Sequence, residues 1–169
     1  MERRMSTARR IAPDPGQESV WDYPRPPRVE DTAELVEVDL GGRTVASSRS
    51  AVRVLETSHP PTYYLPVADF AEGALRPTAG SSYCEFKGVA AYFDVVGGSA
   101  TARKAAWTYP EPSPGFERLL GYIAVMPGQV DECRVDGERV QPQAGGFYGG
   151  WITGRVVGPF KGEPGTLGW

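Results

Sequence analysis

Three pairs of turn-forming residues lie between segments with a strand pattern, and they constrain the fold more than any other feature. Gly-Gly occurs at residues 41–42 and 97–98, and Asp-Gly occurs at residues 136–137. Such pairs accept the positive φ angles of two-residue turns, so each predicts a β-hairpin. The predicted strand pairs are Leu35–Leu40 with Arg43–Ala46, Ala90–Val96 with Thr101–Trp107, and Gln129–Val135 with Glu138–Val140.

The composition supports a fold made of strands. Gly (21 residues) and Pro (16 residues) together exceed a fifth of the 169 residues, which favours short strands and turns over long helices. Ala51–Leu55 and Thr62–Leu65 are further candidate strands, and only Ala68–Leu75 and Gly115–Leu120 suggest helical turns. The pattern predicts an all-β fold, either a small barrel or a two-sheet, tent-like sandwich of antiparallel hairpins with one or two short helices.

The composition also divides the chain into a core and two extensions. Residues 1–29 are polar and then rich in proline, which favours a polyproline II conformation over regular helix. Residues 30–142 carry the strand pattern and are the predicted all-β core domain. Residues 143–169 are rich in glycine with little periodicity, so we expect this C-terminal extension to pack on the core.

Charge and hydropathy exclude several classes of function. A balance of 18 basic and 21 acidic residues, with a net charge of -3, gives no general attraction for nucleic acid or anionic membranes. No apolar run approaches the roughly 18 residues that a membrane span needs, and no secretory signal is evident. Two cysteines are too few for a disulfide scaffold. We therefore expect a cytoplasmic monomer or homodimer that binds neither nucleic acid nor membrane.

The segment Leu55–Pro66 has the densest set of reactive side chains. It contains the single histidine, His59, together with Glu56, Tyr63 and Tyr64. Two prolines follow His59 and stiffen the chain, and a fixed imidazole suits general acid–base chemistry. Glu56 would orient this imidazole. The alternative is that these side chains satisfy main-chain groups at a corner between a strand and a loop.

Two further segments contribute candidate binding residues. In Ser82–Gly88, Lys87 would hold an anionic group, and a nearby cation would favour the thiolate of Cys84. The alternative there is a buried cysteine beside an exposed lysine. Trp107 closes a predicted strand just before Tyr109, and an indole at a sheet rim either walls a pocket or plugs the end of the fold.

These segments together predict a pocket for a small polar or aromatic molecule. The predicted lining comprises catalytic candidates His59, Glu56 and Lys87, and binding candidates Tyr63, Tyr64, Cys84, Trp107 and Tyr109. The sequence identifies no cofactor. It cannot supply four Cys and His zinc ligands, so no metal site is predicted, although Glu56, His59 and Cys84 offer one mixed ligand set. A phosphate-binding loop and a nucleophile elbow are both missing from the sequence.

Two short motifs occur twice. Trp-x-Tyr-Pro-x-Pro covers residues 21–26 and 107–112, and Phe-Lys-Gly covers residues 86–88 and 160–162. A rigid aromatic segment on a polyproline scaffold loses little entropy when it docks. We expect the N-terminal copy to dock near Trp107, where it would roof the pocket or cross to a second subunit. The alternative function is a non-catalytic interaction module that presents the Trp-Tyr-Pro segments to a partner protein.

The same motifs resemble a widespread bacterial family, family 427 of the domains of unknown function, which is sometimes described as a nucleotidyltransferase domain. The resemblance is carried by Val20–Pro27, Val54–Pro66, Cys84-x-Phe86-Lys87-Gly88 and Ala106–Pro110, and the closing residues Gly146–Thr153 and Gly158–Gly162 resemble the longer actinobacterial members. It implies a compact all-β fold whose motif residues converge on one concavity, with no established activity.

Two features of this chain bear on that resemblance. Members of the family usually have proline after the cysteine, where this chain has Glu85. Nucleotidyl transfer normally requires carboxylates that hold a divalent metal against the phosphates. The sequence contains no Asp-x-Asp pair for that role, so we do not predict nucleotidyl transfer.

Overall fold

The computed structural model describes residues 9–169, so the first eight residues of the predicted N-terminal extension lie outside the described residues. The all-β prediction is confirmed, because strands dominate and every helix is a single 3₁₀ turn. The 3₁₀ turns are Val20–Asp22, Val67–Asp69, Glu117–Leu119 and Pro127–Gln129. Over residues 9–169, no helix is both long enough and apolar enough to cross a membrane.

Fifteen strands follow one another within residues 9–169, and most are short. They are β1 (Glu18–Ser19), β2 (Arg28–Asp31), β3 (Val36–Leu40), β4 (Arg43–Ser48), β5 (Val52–Leu55), β6 (Thr62–Pro66), β7 (Leu75–Cys84), β8 (Gly88–Gly97), β9 (Ala100–Thr108), β10 (Tyr122–Val125), β11 (Glu132–Val135), β12 (Glu138–Arg139), β13 (Gln141–Pro142), β14 (Trp151–Ile152) and β15 (Val156–Val157).

Two antiparallel sheets form the body of the protein. The larger sheet has seven strands in the order β2-β5-β6-β10-β9-β8-β7, and the smaller has four in the order β12-β11-β3-β4. Both are open, and within the described residues no sheet closes on itself. Of the two predicted architectures, the two-sheet sandwich is therefore the one that forms.

The two faces of the larger sheet bury different side chains. In β6, Tyr63 and Leu65 point into the core between the sheets, where they join residues such as Val38 and Val95. Tyr64, between them in sequence, belongs to a second apolar cluster on the other face. This division follows from the two-residue period of a strand. We call the face that carries Tyr64 the outer face.

The three predicted hairpins form. Gly41 and Gly42 have φ angles of 63° and 79°, and Asp136 and Gly137 have φ angles of 49° and 83°, so both turns use the left-handed region as expected. The third turn lies one residue later than predicted, because β8 extends through Gly97 and pairs it with Ala100.

One long strand departs from the sequence prediction. The predicted helical turn Ala68–Leu75 forms only at its start, where a 3₁₀ turn covers Val67–Asp69. β7 already begins at Leu75. β7 is an edge strand that is mostly exposed and has a bulge between Thr78 and Ser81. An edge strand pairs on one side only, so it does not need every main-chain N–H for pairing. An exposed edge strand also does not need alternating apolar residues, and the sequence of β7 therefore does not look like a strand.

The described part of the N-terminal extension packs against the C-terminal extension. β1 pairs in parallel with β15. Trp21 is buried beside Leu55, its ring centroid lies 5.1 Å from that of Trp169, and its Nε1–H donates to the Pro159 carbonyl at 2.9 Å. The expected docking of Trp21 close to Trp107 is therefore wrong, since the two indoles belong to different apolar clusters.

Candidate functional site

A cavity of about 470 Å³ lies on the outer face of the larger sheet. Its volume falls within the roughly 300–1,000 Å³ that is typical of ligand sites. Its lining combines aromatic rings, lysines and the His59 segment. The lining residues are Val54, Glu56, His59, Pro60, Thr62, Tyr64, Ser82, Tyr83, Cys84, Glu85, Phe86, Lys87, Ala90, Tyr92, Lys104, Trp107, Tyr109, Met126, Gln143, Phe147, Tyr148, Gly149 and Lys161.

The floor of the cavity is a row of side chains across four adjacent strands. Tyr64 pairs with Ala124, Ala124 pairs with Trp107, and Trp107 pairs with Tyr92. Directly opposed residues of neighbouring strands point to the same face, so these side chains stand side by side. The small Ala124 side chain leaves a gap between the two rings of Tyr64 and Trp107. The Trp107 Nε1–H crosses that gap and donates to the Tyr64 hydroxyl at 3.3 Å.

Tyr109 extends this aromatic floor. Its ring centroid lies 6.4 Å from that of Tyr64, and the Lys87 Nζ lies 5.9 Å above the Tyr109 ring. Burial raises the pKa of both tyrosines well above the ordinary value. Both phenols are therefore neutral at physiological pH and act as hydrogen-bond donors or acceptors.

His59 sits on a turn that both extensions fix in place. The His59 N–H donates to the Glu56 carbonyl at 3.0 Å, and Ser58 has a φ of 73°, a conformation that is uncommon for a residue other than glycine. The Ser58 N–H donates to the Val20 carbonyl at 3.0 Å, and the Ser58 carbonyl accepts from the Lys161 N–H at 2.8 Å. These contacts hold the turn in a geometry it would not keep alone.

Gln143 fixes the tautomer of His59. Its Oε1 accepts from the Gly150 N–H at 3.1 Å, and its Nε2 donates to the Lys161 carbonyl at 2.7 Å, so the amide has only one satisfactory orientation. The same Nε2 lies 3.2 Å from the His59 Nδ1. Because an amide nitrogen can only donate, Nδ1 is the acceptor. The ring proton of neutral His59 is therefore on Nε2.

The surroundings of His59 favour its neutral form. Burial lowers the pKa of His59 to about 4, Glu56 opposes this shift, and the charges of Lys161, Arg25 and Lys87 reinforce it. Glu56 Oε2 lies 3.9 Å from His59 Nε2, which is beyond hydrogen-bond length, and instead meets the Arg25 Nε at 3.2 Å. Glu56 therefore pairs with Arg25 more closely than with the imidazole.

Seven of the eight predicted site residues line the cavity. They are Glu56, His59, Tyr64, Cys84, Lys87, Trp107 and Tyr109. The placement of Tyr63 in the pocket is wrong. Its ring lies in the core between the sheets, and its hydroxyl donates to Glu34 Oε1 at 2.9 Å. Adjacent residues of a strand face opposite sides, so Tyr63 and Tyr64 cannot both face the cavity.

The roof of the cavity was not predicted from the sequence. It comes from the C-terminal extension, which contributes Gln143, Phe147, Tyr148, Gly149 and Lys161. The Tyr148 ring meets the His59 ring edge to face at a centroid distance of 5.3 Å. The repeated Phe-Lys-Gly motif was the one available signal, because both of its lysines, Lys87 and Lys161, line this cavity.

A glycine brings the roof close to the floor. A Cβ atom at Gly149 would lie 2.4 Å from the Cη2 atom of Trp107, which is closer than any normal contact. The absence of a side chain therefore lets the main chain pass directly over the indole. Gly150 is similarly confined, since its Cβ would lie 2.4 Å from Gln143 Oε1.

Metal-ligating side chains do not cluster in the described part of the chain. Residues 9–169 contain no group of three or more His, Cys, Asp or Glu residues arranged to hold a metal ion. Glu56, His59 and Cys84 share the cavity without forming such a group.

Comparison with known protein families gives a match. None of the curated proteins matches the chain. The family model described as "Domain of unknown function (DUF427)" matches residues 28–136, which is more than half of the chain and covers most of the cavity floor. Residues 146–162, compared above with the longer actinobacterial members, lie beyond this match, so that part of the resemblance stays a prediction. The chain therefore belongs to the DUF427 family of domains of unknown function.

Proposed function

We propose that this protein binds a small molecule with a flat, apolar part in the cavity on the outer face of the larger sheet. The observation that carries the proposal is the row Tyr64–Ala124–Trp107–Tyr92 beneath a roof from the C-terminal extension. Aromatic walls with a few fixed polar groups are the usual construction of a small-molecule site. A planar ligand would lie against the Trp107 indole, and the fixed imidazole of His59 would orient its polar edge.

Acid–base catalysis by His59 receives less support than binding. An efficient general acid or base has a pKa near the working pH. The pKa of His59 is about 4, and its Nδ1 is occupied by Gln143. These features suit a neutral imidazole that donates a hydrogen bond from Nε2. Glu56 and Lys87 then serve binding rather than proton transfer.

The interaction module is the weaker alternative because three of the four aromatic rings of the Trp-Tyr-Pro segments are not available at the surface, and the fourth, Trp107, is half-buried in the cavity. Trp21, Tyr23 and Tyr109 are all buried. The large exposed aromatic side chains beside the cavity are Tyr83 and Phe147, which belong to neither Trp-Tyr-Pro segment. A ligand that enters the cavity would pass these two rings.

We also propose a cytoplasmic location and a monomeric or homodimeric state, without nucleic-acid partners. Cys84 and Cys133 are both free thiols, and a reducing compartment keeps half-buried Cys84 in that form. Burial raises the pKa of Cys133 to about 12, so this thiol is inert at physiological pH. Fractionation of the native host and light scattering of the purified protein test these two points.

Ligand-observed NMR with a library of small aromatic compounds tests the binding proposal. The proteins to compare are the wild type, Trp107→Ala and Trp107→Phe. We expect hits that lose binding in Trp107→Ala, because the floor of the site is removed, and that largely persist in Trp107→Phe. The proposal fails if no compound binds, or if every hit binds the alanine variant as well as the wild type.

A further inference from the structure

We propose, on the basis of this small-molecule site, that its ligand is an aromatic oxyanion, a planar ring bearing a carboxylate or a phosphate. The charged group would sit beside the His59 Nε2–H, between the ammonium groups of Lys87 and Lys161. The rings of Tyr64 and Trp107 would hold the planar part. This assigns a chemical class to the ligand and a binding role to Lys161.

The charges that line the cavity favour an anion. Three lysines line it, at positions 87, 104 and 161, against the two carboxylates of Glu56 and Glu85. One of those carboxylates is already neutralised, because Glu56 Oε2 accepts from the Arg25 Nε at 3.2 Å. The cavity therefore has an excess of positive charge, although the whole chain has a net charge of -3.

The lysines lack acidic partners. Across residues 9–169, no Asp or Glu carboxylate lies within 4 Å of the ammonium group of Lys87, Lys104 or Lys161. Lys87 and Lys161 are also half-buried, so each has lost part of its hydration. Lys161 Nζ donates to the Trp169 main-chain oxygen at 3.2 Å. Lys87 is therefore the partly desolvated cation that has no hydrogen-bonded partner among the described residues, and an anionic ligand would stabilise it.

Both half-buried lysines act electrostatically on the same imidazole. Lys161 Nζ lies 5.8 Å above the Tyr148 ring, which itself packs against His59. Burial is the main cause of the lowered pKa of His59, and the charges of Lys161, Arg25 and Lys87 add to it against the opposing charge of Glu56. These cations would also attract a negative charge placed beside the ring.

The main chain holds Lys161 in position. Its N–H donates to the Ser58 carbonyl at 2.8 Å, and its carbonyl accepts from the Gln143 Nε2 at 2.7 Å. These bonds tie the main chain of Lys161 to the turn that carries His59. His59 adds a donor for the oxyanion, because its Nε2–H has no acceptor within hydrogen-bond distance among the described residues.

Four probes that share one naphthalene ring test the charge preference. 2-Naphthoate and 2-naphthyl phosphate carry the two oxyanions, 2-naphthamide is neutral, and 2-naphthylmethylammonium is cationic. Each is titrated by calorimetry or ligand-observed NMR at pH 7 into the wild type, Lys87→Gln, Lys161→Gln and Arg103→Gln. Arg103 is exposed and outside the cavity, so Arg103→Gln removes the same charge without touching the site.

We expect the wild type to bind at least one oxyanion about tenfold more tightly than the amide, as one charge-assisted hydrogen bond would give. That preference should largely disappear in Lys87→Gln and Lys161→Gln, persist in Arg103→Gln, and return in Lys87→Arg. Comparison of the carboxylate with the phosphate identifies which oxyanion fits. Melting temperatures verify that each variant is folded.

The outcomes separate this inference from the proposed function. If the amide or the ammonium probe binds as tightly as both oxyanions, the ligand class is wrong while the small-molecule site stands. An oxyanion preference that survives both lysine substitutions also overturns it. If none of the four probes binds the wild type, the assignment to an aromatic oxyanion fails. The broader library comparison with Trp107→Ala then decides the proposed function separately.

Discussion

Gln143 donates a hydrogen bond from Nε2 to the Nδ1 of His59 across 3.2 Å, and so joins the C-terminal extension to the single histidine of the chain. The same amide nitrogen donates to the Lys161 carbonyl. This one side chain therefore decides both the tautomer of His59 and the position of the segment that carries Lys161.

Replacement of Gln143 by glutamate should raise the pKa of His59. A carboxylate beside Nδ1 would accept a hydrogen bond from a protonated Nδ1 and favour the imidazolium form. From a value of about 4 in the wild type, we expect a rise of about one pH unit or more. NMR titration of the His59 Cε1–H in untagged protein measures this directly, because there is only one histidine. Gln143→Met, which adds no charge, is the control. Equal pKa values in Gln143→Glu and Gln143→Met would contradict the contact.

The free energy of unfolding should fall as the pH drops below 6.5, the pKa of the free histidine side chain. The pKa of His59 is about 4 in the folded protein against 6.5 for the free side chain. The unfolded chain therefore binds more protons between these two values. The stabilising contribution is complete above pH 6.5 and is lost progressively down to pH 4, at most about 3 kcal/mol.

Urea denaturation at several pH values tests this expectation. The wild type should lose more free energy of unfolding between pH 6.5 and 4 than His59→Gln does, because the variant has no imidazole to protonate. The effect of carboxylate titration is the same in both proteins, so it cancels in the difference between their free energies of unfolding. Parallel curves for the two proteins would show that His59 is not buried in its neutral form.

Trp21 should be a main anchor of the N-terminal extension. Its indole is only 4% exposed and contacts Trp169 and Pro159. Trp21→Ala should lower the free energy of unfolding by about 3 kcal/mol through the cavity it leaves. Phe147→Ala is the matched control, because Phe147 is 79% exposed and its removal should change stability little. Deletion of residues 1–29 should destabilise at least as much as Trp21→Ala. Unchanged urea midpoints for both would show that this extension contributes nothing to the fold.

Gly149→Ala should displace either the Trp107 indole or the roof of the cavity. The added methyl group would meet Trp107 at 2.4 Å, and such overpacking costs about 1–3 kcal/mol. The Trp107 indole N–H resonance should shift, and binding of aromatic probes should weaken. Gly168→Ala is the control, because a Cβ at Gly168 meets open space. Identical spectra for the two variants would place the roof elsewhere.

The hairpins were predictable because turn chemistry is local. Gly41-Gly42 and Asp136-Gly137 favour the positive φ angles of a two-residue turn, and such a turn places the flanking segments as paired strands. β7 was not predictable in the same way. Its pairing with β8 is a tertiary relationship, and an exposed edge strand tolerates residues such as Pro77 that read as a loop.

The residues of the candidate site likewise divide into those that a local motif predicts and those that only a tertiary contact reveals. His59, Lys87 and Trp107 were found because each stands in a dense local motif, and the structure brings them to one cavity. Gln143 is an isolated polar residue in a glycine-rich segment, and only its contact with a histidine 84 residues earlier gives it a role. Tyr63 was misplaced because both faces of β6 carry apolar residues, so its sequence does not indicate which face lies between the two sheets.

The hydrogen bonds that both extensions make to the Ser58 turn have a consequence for biosynthesis. The turn accepts from Lys161 and donates to Val20, so it is fully restrained only when chain on both sides of the matched domain is present. During translation the strands of residues 28–136 can pair before the roof exists. The roof comes from residues 143–161, so we expect the cavity to stay an open groove until they have been synthesised. A chain terminated before them would form the sheets without a covered cavity.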